Sequence, residues 1–548
     1  MHAERVQAAT NGNGISSIPR APTPLVLVKR NMPFPEEVLR DSESIALTRT
    51  LFAGRRRVKG VTIDKSISKD LDDAIWVEKL NKGRYRIDVS IADVTSVIPK
   101  GSAIDNEALA RSASLYYNTG SDPMIPHRLS ENLLSLKEAR LRPTITVSMT
   151  LSRNLDLEKV EIERTALRSL KRFTYDKVDA IVDGQTHSLG ELFKVASVLA
   201  QGLMEKRRSE GAMAYFDLLS GIMTNEDGTI IGLDPHRRSV SKLIIQEFMI
   251  LTNTAVASFL AEKGAYALYR NHKAIPPEPD VARILEELDK LSDATDSPSR
   301  LEIKMLRKRV ANMFERAYNS PENVGHYALG IRPPNGYLRF TSPIRRYSDI
   351  INHRQIVAAI TGDEVMTKGE LEAISEQINI RELAVRNETN SILKMQRYAN
   401  AHKALESDSP GNLVNGDFSR LIKLATRNGG MTDRIEAEII KRLNTGKLNE
   451  IDLFTILFEP KAETGKWTRV REAAFGFLSQ NPNMASYMYG IASQVFGWPK
   501  IDFETTISVS AKVNVDGQEF ASRAVDNSGV PGIRHVAVLG ILEQMLRP

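Results

Sequence analysis

Four aspartates lie within ten positions near the start of the chain: Asp64, Asp70, Asp72 and Asp73, in the segment TIDKSISKDLDDAIW. Neighbouring carboxylates repel one another by up to about 4 kcal/mol at 4 Å and an effective dielectric of 20, so a cation that neutralises them favours such a cluster. Oxygen ligands suit Mg²⁺ or Mn²⁺ better than Zn²⁺. The cluster therefore predicts a Mg²⁺ site, with Mn²⁺ as a second candidate. The apolar alternation around it predicts a strand on each side.

The same aspartates have simpler interpretations. A short Asp-x-Asp-Asp string is more often a solvated acidic loop or a helix cap than a metal site, because short motifs match by chance. A calcium loop of the EF-hand type is disfavoured, since the cluster lacks the glycine at loop position six and the glutamate at position twelve. The cluster alone leaves the loop and cap interpretations open.

A second polar motif lies much later in the chain. It consists of His326–Gly330 (HYALG), a run from Tyr337 to Asp349 (YLRFTSPIRRYSD) and the tripeptide NHR that follows. Ser342 and Pro343 predict a helix start, with Arg345 in the first turn. A helix N-terminus attracts phosphate and arginine can clamp it bidentately, so Arg345 is predicted to bind a phosphate; an ordinary surface ion pair is the alternative.

Composition narrows the class of protein. The chain has 548 residues, is 42% hydrophobic, and carries a net charge of +6 with an estimated pI near 9.1, which suits several domains and a polyanionic partner. It has no cysteine, which excludes disulfides, zinc–thiolate sites and thiol nucleophiles. No window of about 18 apolar residues and no secretory core is evident, so we expect no membrane association and a cytoplasmic location, with organelle targeting left open.

Patterning divides the chain into four parts. We predict an N-terminal arm at 1–57, a mixed α and β domain at 58–405, a helical segment at 413–478 and a small domain at 479–548. Strands are predicted by the alternation at Tyr85–Ile91 and Ile145–Leu151. Helices are predicted at Ser239–Lys263, Arg300–Tyr318, Pro343–Ile360 and Lys368–Glu406.

Both motifs, at their spacing, resemble the signatures of the ribonuclease II family of RNB-domain exoribonucleases, and the resemblance covers about residues 58–400. It implies an α+β fold class, with a ribonuclease II-type catalytic domain whose narrow channel admits single strands only. The implied activity is hydrolytic and metal-dependent: single-stranded RNA with a free 3′ end is degraded from that end and releases 5′-nucleoside monophosphates.

The resemblance also implies roles for individual residues. The implied metal ligands are Asp64, Asp70, Asp72 and Asp73, and the implied catalytic residues are Asp72 and Arg345. The implied RNA-binding residues are Tyr116, Tyr175, Phe216, Glu247 and Arg345. Tyr116 and Phe216 would sandwich the terminal base, whereas Tyr175 and Glu247 would touch the ribose near the 3′ end. The family often has two adjacent glutamates where this chain has Gln246 before Glu247. Arg346 and Arg354 are expected in structural ion pairs.

The last seventy residues predict an α-β-β-β-α order. A helix at Asn483–Phe496 precedes the alternation at Ile507–Val515, a turn at Asp516–Gly517 and a helix at Ile533–Leu546. This order resembles a double-stranded-RNA-binding domain, although Arg534 is its main cation at the helix start that usually binds phosphate. Structured RNA and a protein are both open as partners of this domain.

The family usually guides RNA through OB domains before and after the catalytic domain. Neither set is evident in this sequence, so we expect RNA capture to be arranged differently. Two alternatives remain beside the enzyme: a non-catalytic RNA-binding regulator on the same fold, and an adaptor whose terminal domain recruits partners.

Overall fold

The structure is a computed structural model of the protein that describes residues 32–117, 120–212, 222–224, 230–233, 239–275, 313–428, 430–445, 447–459, 465–499, 501–505, 508–525 and 533–546. It is a mixed helix and sheet protein, as predicted. Helices and strands alternate up to residue 361, and helices dominate the rest apart from one small sheet.

A closed barrel of five strands forms the centre of the first part. Its strands are β1 (Arg56–Asp64), β2 (Asp73–Lys79), β3 (Tyr85–Ala92), β6 (Leu141–Leu151) and β7 (Leu157–Thr174). Neighbours pair antiparallel in that order, and β1 pairs with β7 in parallel to close the barrel. The apolar residues of the predicted alternations are fully buried in one core, apart from Tyr85, which is partly buried against it. Both predicted strands are confirmed, as are the two strands that flank the aspartate cluster.

Short hairpins and helices surround the barrel. The hairpin strands are β4 (Leu115–Tyr117) with β5 (Gly120–Asp122), β8 (Ile222–Thr224) with β9 (Ile230–Leu233), and β10 (Tyr269–Asn271) with β11 (Tyr318–Ser320). The helices are α1 (Glu36–Ser44), α2 (Ala103–Arg111), α3 (Tyr175–Val182), α4 (Gly190–Ser209), α5 (Val240–Glu262) and α6 (Tyr347–Thr361). Helices α3, α4 and α5 share the core of the barrel.

The described part of the N-terminal arm packs against the domain. Arg128 donates hydrogen bonds to the carbonyl oxygens of Ser42 and Ile45 at the end of α1. Arg111 donates to the carbonyl oxygen of Met32 and its guanidinium lies over the ring of Phe34. Residues 32–45 are therefore held by two arginines of the barrel-containing part of the chain.

Helix α5 is long and apolar enough to cross a membrane by length and composition, which the sequence analysis did not anticipate. However, 61% of its apolar window is buried inside the domain. A helix that is apolar all round is also what the core of a large domain requires. The packing of α5 in the barrel core thus accounts for its composition.

Two predicted helices differ in the structure. Helix α6 begins at Tyr347 rather than Pro343, because residues 342–346 form a turn in which Ser342 donates its backbone N–H to Asp349. Ser342 is therefore not the cap of α6. The predicted helix Arg300–Tyr318 is wrong at its end, since Tyr318 begins a strand that pairs with β10; residues 300–312 lie outside the described residues.

Helix α7 (Lys368–Glu406) runs for 39 residues with the predicted bounds and leads into the second part of the chain. The elements that follow are α8 (Asn415–Asn428), α9 (Asp433–Asn444), α10 (Glu450–Phe458), α11 (Gly465–Gln480), α12 (Pro482–Phe496), β12 (Asp502–Thr505), β13 (Ser508–Val515), β14 (Gln518–Val525) and α13 (Ile533–Leu546). The predicted α-β-β-β-α order is present from α12 to α13. Its buried side chains and those of α8 to α11 belong to one hydrophobic core.

One buried carboxylate ties three strands at an end of the barrel. Asp93 follows β3 and accepts hydrogen bonds at 2.9 Å from Arg55, which precedes β1, and from Arg164 of β7. Both arginines also donate to the hydroxyl of Ser96 at 2.8 Å. Burial alone raises the pKa of Asp93, but Arg164 and Arg55 outweigh burial and lower the pKa to about 2.

We predict that Asp93→Asn lowers the free energy of unfolding by about 3–5 kcal/mol at pH 7, because it leaves two arginines without their shared charge. A carboxylate with a lowered pKa stabilises the fold above its unfolded pKa near 4 and loses this contribution as the pH falls to about 2. Denaturant unfolding of both proteins between pH 2 and pH 7 measures the effect. Glu191→Gln, which removes an exposed pair with Lys79, is the control and should change little. A constant difference across this pH range would contradict the assignment.

Candidate functional site

The loop that carries the aspartates is fixed at both ends. Arg172 of β7 donates to the carbonyl oxygens of three residues, Lys65, Ser66 and Ser68. The Ser135 hydroxyl donates to the carbonyl oxygen of Lys69 at 2.7 Å and accepts from the backbone N–H of Leu71 at 3.2 Å. The loop between β1 and β2 is therefore tied to the barrel at both ends, while its middle, at Ile67, is exposed to solvent.

Asp72 connects this loop to the second motif. It is 4% exposed, and its two oxygens accept from the backbone N–H of Ile344 at 2.8 Å and from Nε of Arg345 at 3.2 Å. Burial raises the pKa of Asp72 to about 7, although Arg345 and the N–H of Ile344 act in the opposite direction. Asp72 thus positions the turn that holds Arg345.

Asp64 and Asp73 face a cavity with a volume of about 920 Å³. In each carboxylate, Oδ2 is buried and has no hydrogen-bond partner among the described residues. Burial raises the pKa of Asp64 to about 6, and burial together with Asp64 and Asp72 raises the pKa of Asp73 well above its usual range. Two close carboxylates with unsatisfied oxygens are a suitable pair of ligands for a hard cation.

The four aspartates do not converge on one point in this structure. Asp70 accepts a hydrogen bond from the hydroxyl of Tyr116, and Asp72 is occupied by the turn at Arg345. Among the residues that the structure describes, no group of three or more acidic or histidine side chains is close enough to hold a metal ion. Asp64 and Asp73 therefore fit a divalent cation, and a complete site needs further ligands.

Arg345 lines the same cavity, and its side chain is fixed on two sides. Besides the contact with Asp72, it donates to the hydroxyl of Ser342 at 2.9 Å. Burial lowers the pKa of Arg345, but the nearby acidic groups, Asp72 first among them, together outweigh burial and raise it, so the guanidinium stays charged. Arg345 belongs to the turn before α6 and not to its first helical turn. Contrary to the prediction, the dipole of that first turn therefore does not add to phosphate binding at Arg345.

Arg346 and Arg354 form the ion pairs that the sequence predicted. Arg346 donates to both carboxylate oxygens of Asp349, at 2.9 and 2.7 Å. Arg354 donates to Asp105 at 2.7 Å.

The predicted RNA-binding residues occupy different positions. Tyr116 is 53% exposed and contacts Asp70. Tyr175 lines the cavity beside Asp64 and Asp73. Burial, together with the charges of these two aspartates, raises the pKa of Tyr175 to about 12. Glu247 is 2% exposed and binds Arg207 at 2.6 and 2.9 Å. Gln246, not Glu247, is among the residues that line the cavity.

Two predicted RNA contacts cannot be placed. Phe216 lies outside the described residues. Arg534 belongs to the first turn of α13, but its side chain lies outside the description.

The sequence analysis missed the far wall of the cavity. The ring of His272 stacks with Phe314 at 4.7 Å between centroids and lies 4.9 Å from His326, which meets Tyr337 edge-on at 5.2 Å. Burial lowers the pKa of His326, and the neighbouring His272 lowers it further, to about 3. The ring of His326 is therefore neutral and presents an aromatic surface. Only His326 and Tyr337 belonged to a motif, and no periodicity marked the other two.

Five arginines of the described residues line the cavity. Arg207, Arg345 and Arg346 are each paired with a carboxylate, and Arg316 and Arg386 line the cavity beside them. Burial lowers the pKa of Arg316, and the nearby charge of Arg386 lowers it further. Like charges that repel each other in a cleft favour an anionic ligand. The site therefore combines carboxylates, a fixed guanidinium, an aromatic wall and two further arginines.

Comparison with known proteins identifies a domain family that the chain matches. The RNB domain model matches residues 55–362, more than half of the chain. The chain is 32% identical over 393 residues to ribonuclease R of Thermotoga maritima, covering 65% of this chain and 54% of that protein. It is 31% identical over 384 residues to ribonuclease R of Aquifex aeolicus, with the same coverage. The chain thus spans about half the length of the curated relatives it matches.

Solved structures support the fold. Mycoplasma genitalium RNase R in complex with ribose methylated single-stranded RNA has a TM-score of 0.54 at 22% identity, covering 71% of this chain and 62% of that chain. The same protein in complex with double-stranded RNA has a TM-score of 0.53 at 23% identity, covering 72% and 71%. With the matched domain, the two motifs and the relatives in agreement, this chain belongs to the RNB-domain family, the ribonuclease II family that its motifs resemble.

Proposed function

We propose that this chain is a divalent-metal-dependent exoribonuclease that hydrolyses single-stranded RNA from its 3′ end and releases 5′-nucleoside monophosphates. One observation carries the proposal. Asp64 and Asp73 line a cavity that Arg345 also lines, and each has a buried oxygen without a hydrogen-bond partner among the described residues. A buried and unsatisfied carboxylate pair is costly, and a cation with a phosphate would compensate both charges.

Asp64 and Asp73 would hold Mg²⁺ or Mn²⁺. A bound cation supplies a nucleophilic water near neutral pH and stabilises the charge on the phosphate oxygens. Tyr116 would be involved indirectly. Its hydroxyl occupies Asp70, so a base that stacks on Tyr116 would compete with that contact and free a third carboxylate for the cation.

Arg345 would bind the scissile phosphate. Asp72 and Ser342 fix its side chain at Nε and Nη2, so little conformational freedom is lost when a phosphate binds. Because it remains charged, it can stabilise the additional negative charge of the transition state. In this role Asp72 is a positioning residue as well as part of the acidic cluster.

The entrance and the far wall would select the polymer. Arg316 and Arg386 would attract the phosphate backbone to the rim. The wall of His272, Phe314 and His326 offers aromatic faces to bases, and base stacking contributes about 1–3 kcal/mol per base. Tyr175, beside the carboxylates, is placed to contact the terminal ribose, where the 2′-hydroxyl distinguishes RNA from DNA.

The direct test uses 5′-labelled single-stranded RNA, the corresponding DNA and a duplex with a 3′ overhang, each with Mg²⁺ and with a chelator. The proposal expects a ladder that shortens from the 3′ end on RNA, disappears with chelator and is absent on DNA. RNA that stays intact but bound in every lane would favour a non-catalytic RNA-binding regulator instead.

We predict that Asp73→Asn separates function from stability. Removing this buried charge should reduce degradation by about 10²- to 10³-fold, because a cation ligand is lost. It should also raise the unfolding midpoint of the metal-free protein, because Asp73 is buried beside Asp64 and Asp72. Single-turnover assays and denaturant unfolding in chelator measure the two effects. Asp88→Asn, on the same barrel but paired with Arg86, is the control. Lower stability in the Asp73 variant would indicate a structural carboxylate.

Arg345→Lys should reduce kcat by about 10²-fold while the fold is retained, because lysine keeps the charge but not the two fixed N–H contacts. Arg354→Lys is the matched control, since Arg354 also pairs with an aspartate but is absent from the cavity lining. Steady-state kinetics on a short RNA, with the melting temperature of each variant, gives the comparison. Equal kcat in the two variants would rule out a phosphate role for Arg345.

A further inference from the structure

Helix α7 has an exposed stretch between the two parts of the protein. All ten residues from 391 to 400 are exposed, including Met395 at 73% and Tyr398 at 44%. The helix packs against α8 beyond this stretch, through Ala401 and Phe418. We define the α7–α8 surface as Lys394, Arg397 and Tyr398 of α7 with Arg420 of α8.

Charge is distributed unevenly along α7. The first half, 368–388, contains five glutamates, whereas 389–405 contains no acidic residue. Lys394 and Arg397 lie in the acid-free half and form no ion pair with another described residue. A solvated helix face usually mixes both signs of charge. One sign alone, on an exposed face, fits an anionic partner.

Two side chains of the surface are already ordered. The guanidinium of Arg420 lies over the ring of Tyr398 at 5.4 Å, and its Nε is buried without a hydrogen-bond partner among the described residues. The guanidinium of Arg397 lies close to Gly416 at the start of α8, since a Cβ added there would come within 2.9 Å of its Cζ. An exposed aromatic ring beside fixed guanidinium groups is an arrangement that binds bases and phosphates of single strands.

The surface is continuous with the cavity. Arg386, which lines the cavity, precedes Arg397 by eleven residues of the same helix. Eleven residues are about three turns, so both side chains point to the same side of α7, about 16 Å apart along its axis. No acidic residue lies between Glu388 and Arg397 on this path.

We propose that the α7–α8 surface binds the upstream, 5′-ward part of the RNA whose 3′ end occupies the cavity. This inference rests on the proposed function. Lys394 and Arg397 contact phosphates, and Tyr398, supported by Arg420, stacks on a base. Ile392, Leu393 and Met395 are also exposed on this stretch, but cations without acids favour a polyanion over a protein, because protein interfaces are depleted of charge at their centre.

The test measures RNA affinity of the full chain in chelator, where RNA remains intact. Fluorescence anisotropy compares oligoadenylates of about 5 nucleotides, which reach the cavity only, with about 20 nucleotides, which also reach the surface. The variants are the double variant Lys394→Glu/Arg397→Glu, Tyr398→Ala and the conservative Tyr398→Phe. Lys441→Glu, an exposed lysine of α9 outside the surface, is the matched control.

The double variant should lose about tenfold or more in affinity for the long RNA and nothing for the short RNA. The slope of log K against log salt should become shallower by about 1.4, that is about 0.7 for each lost phosphate contact on a single strand. Tyr398→Ala should lose about fivefold or more for the long RNA, and Tyr398→Phe should bind like the parent protein.

Unchanged affinity for the long RNA in correctly folded double and Tyr398→Ala variants would overturn the proposal and leave the surface to a protein or to a second copy of the chain. Equal losses for both RNA lengths would also overturn it, since the surface would then act through the cavity. A failure of the proposed function has a different signature: the parent protein would bind both RNAs and degrade neither when Mg²⁺ is added.

Discussion

The contact of Asp72 with the turn at Ile344 and Arg345 is the constraint on which the rest of the site depends. Asp72 ends a loop fixed to the barrel, and its two oxygens bind a backbone N–H and a guanidinium more than 270 positions away. Because the loop is pinned by Arg172 and Ser135, this contact also fixes where the second motif lies.

This arrangement carries an electrostatic cost that the fold tolerates. Asp64 and Asp73 are partly buried, and each has one buried oxygen without a hydrogen-bond partner among the described residues. The compensation is elsewhere, in networks such as Asp93 with its two arginines, where every charge has a partner. The same barrel thus neutralises Asp93 but leaves Asp64 and Asp73 without such partners at the cavity. Such strain is concentrated where a ligand would relieve it.

Helix α7 relates the two parts of the chain. Its first half packs on the RNB domain through Leu371 and Ile378, and its end packs on the C-terminal core through Ala401. The C-terminal core is continuous from α8 to α13, so the α-β-β-β-α elements pack together with the helices before them. Any function of this part, with RNA or with protein, must use the surfaces that this common core leaves exposed.

The sequence by itself determined the elements and the chemistry of the site. The alternation around Ile87 and Ile145 predicts strands, the capping Thr367 and the pattern up to Glu406 predict the whole of α7, and four close aspartates predict a carboxylate site. These features depend on neighbours within about one turn or one strand, so local propensity and periodicity are sufficient to predict them.

Only the tertiary structure decided which of these residues act together. The closed barrel selects Asp64 and Asp73 for the cavity and turns Asp72 to Arg345, and it buries Glu247 against Arg207. It also starts α6 at Tyr347, because Asp349 captures the backbone of Ser342. The wall of His272 and Phe314 arises in the same way. Each of these outcomes depends on contacts between segments far apart in the chain, and such contacts exist only after the strands have closed the barrel.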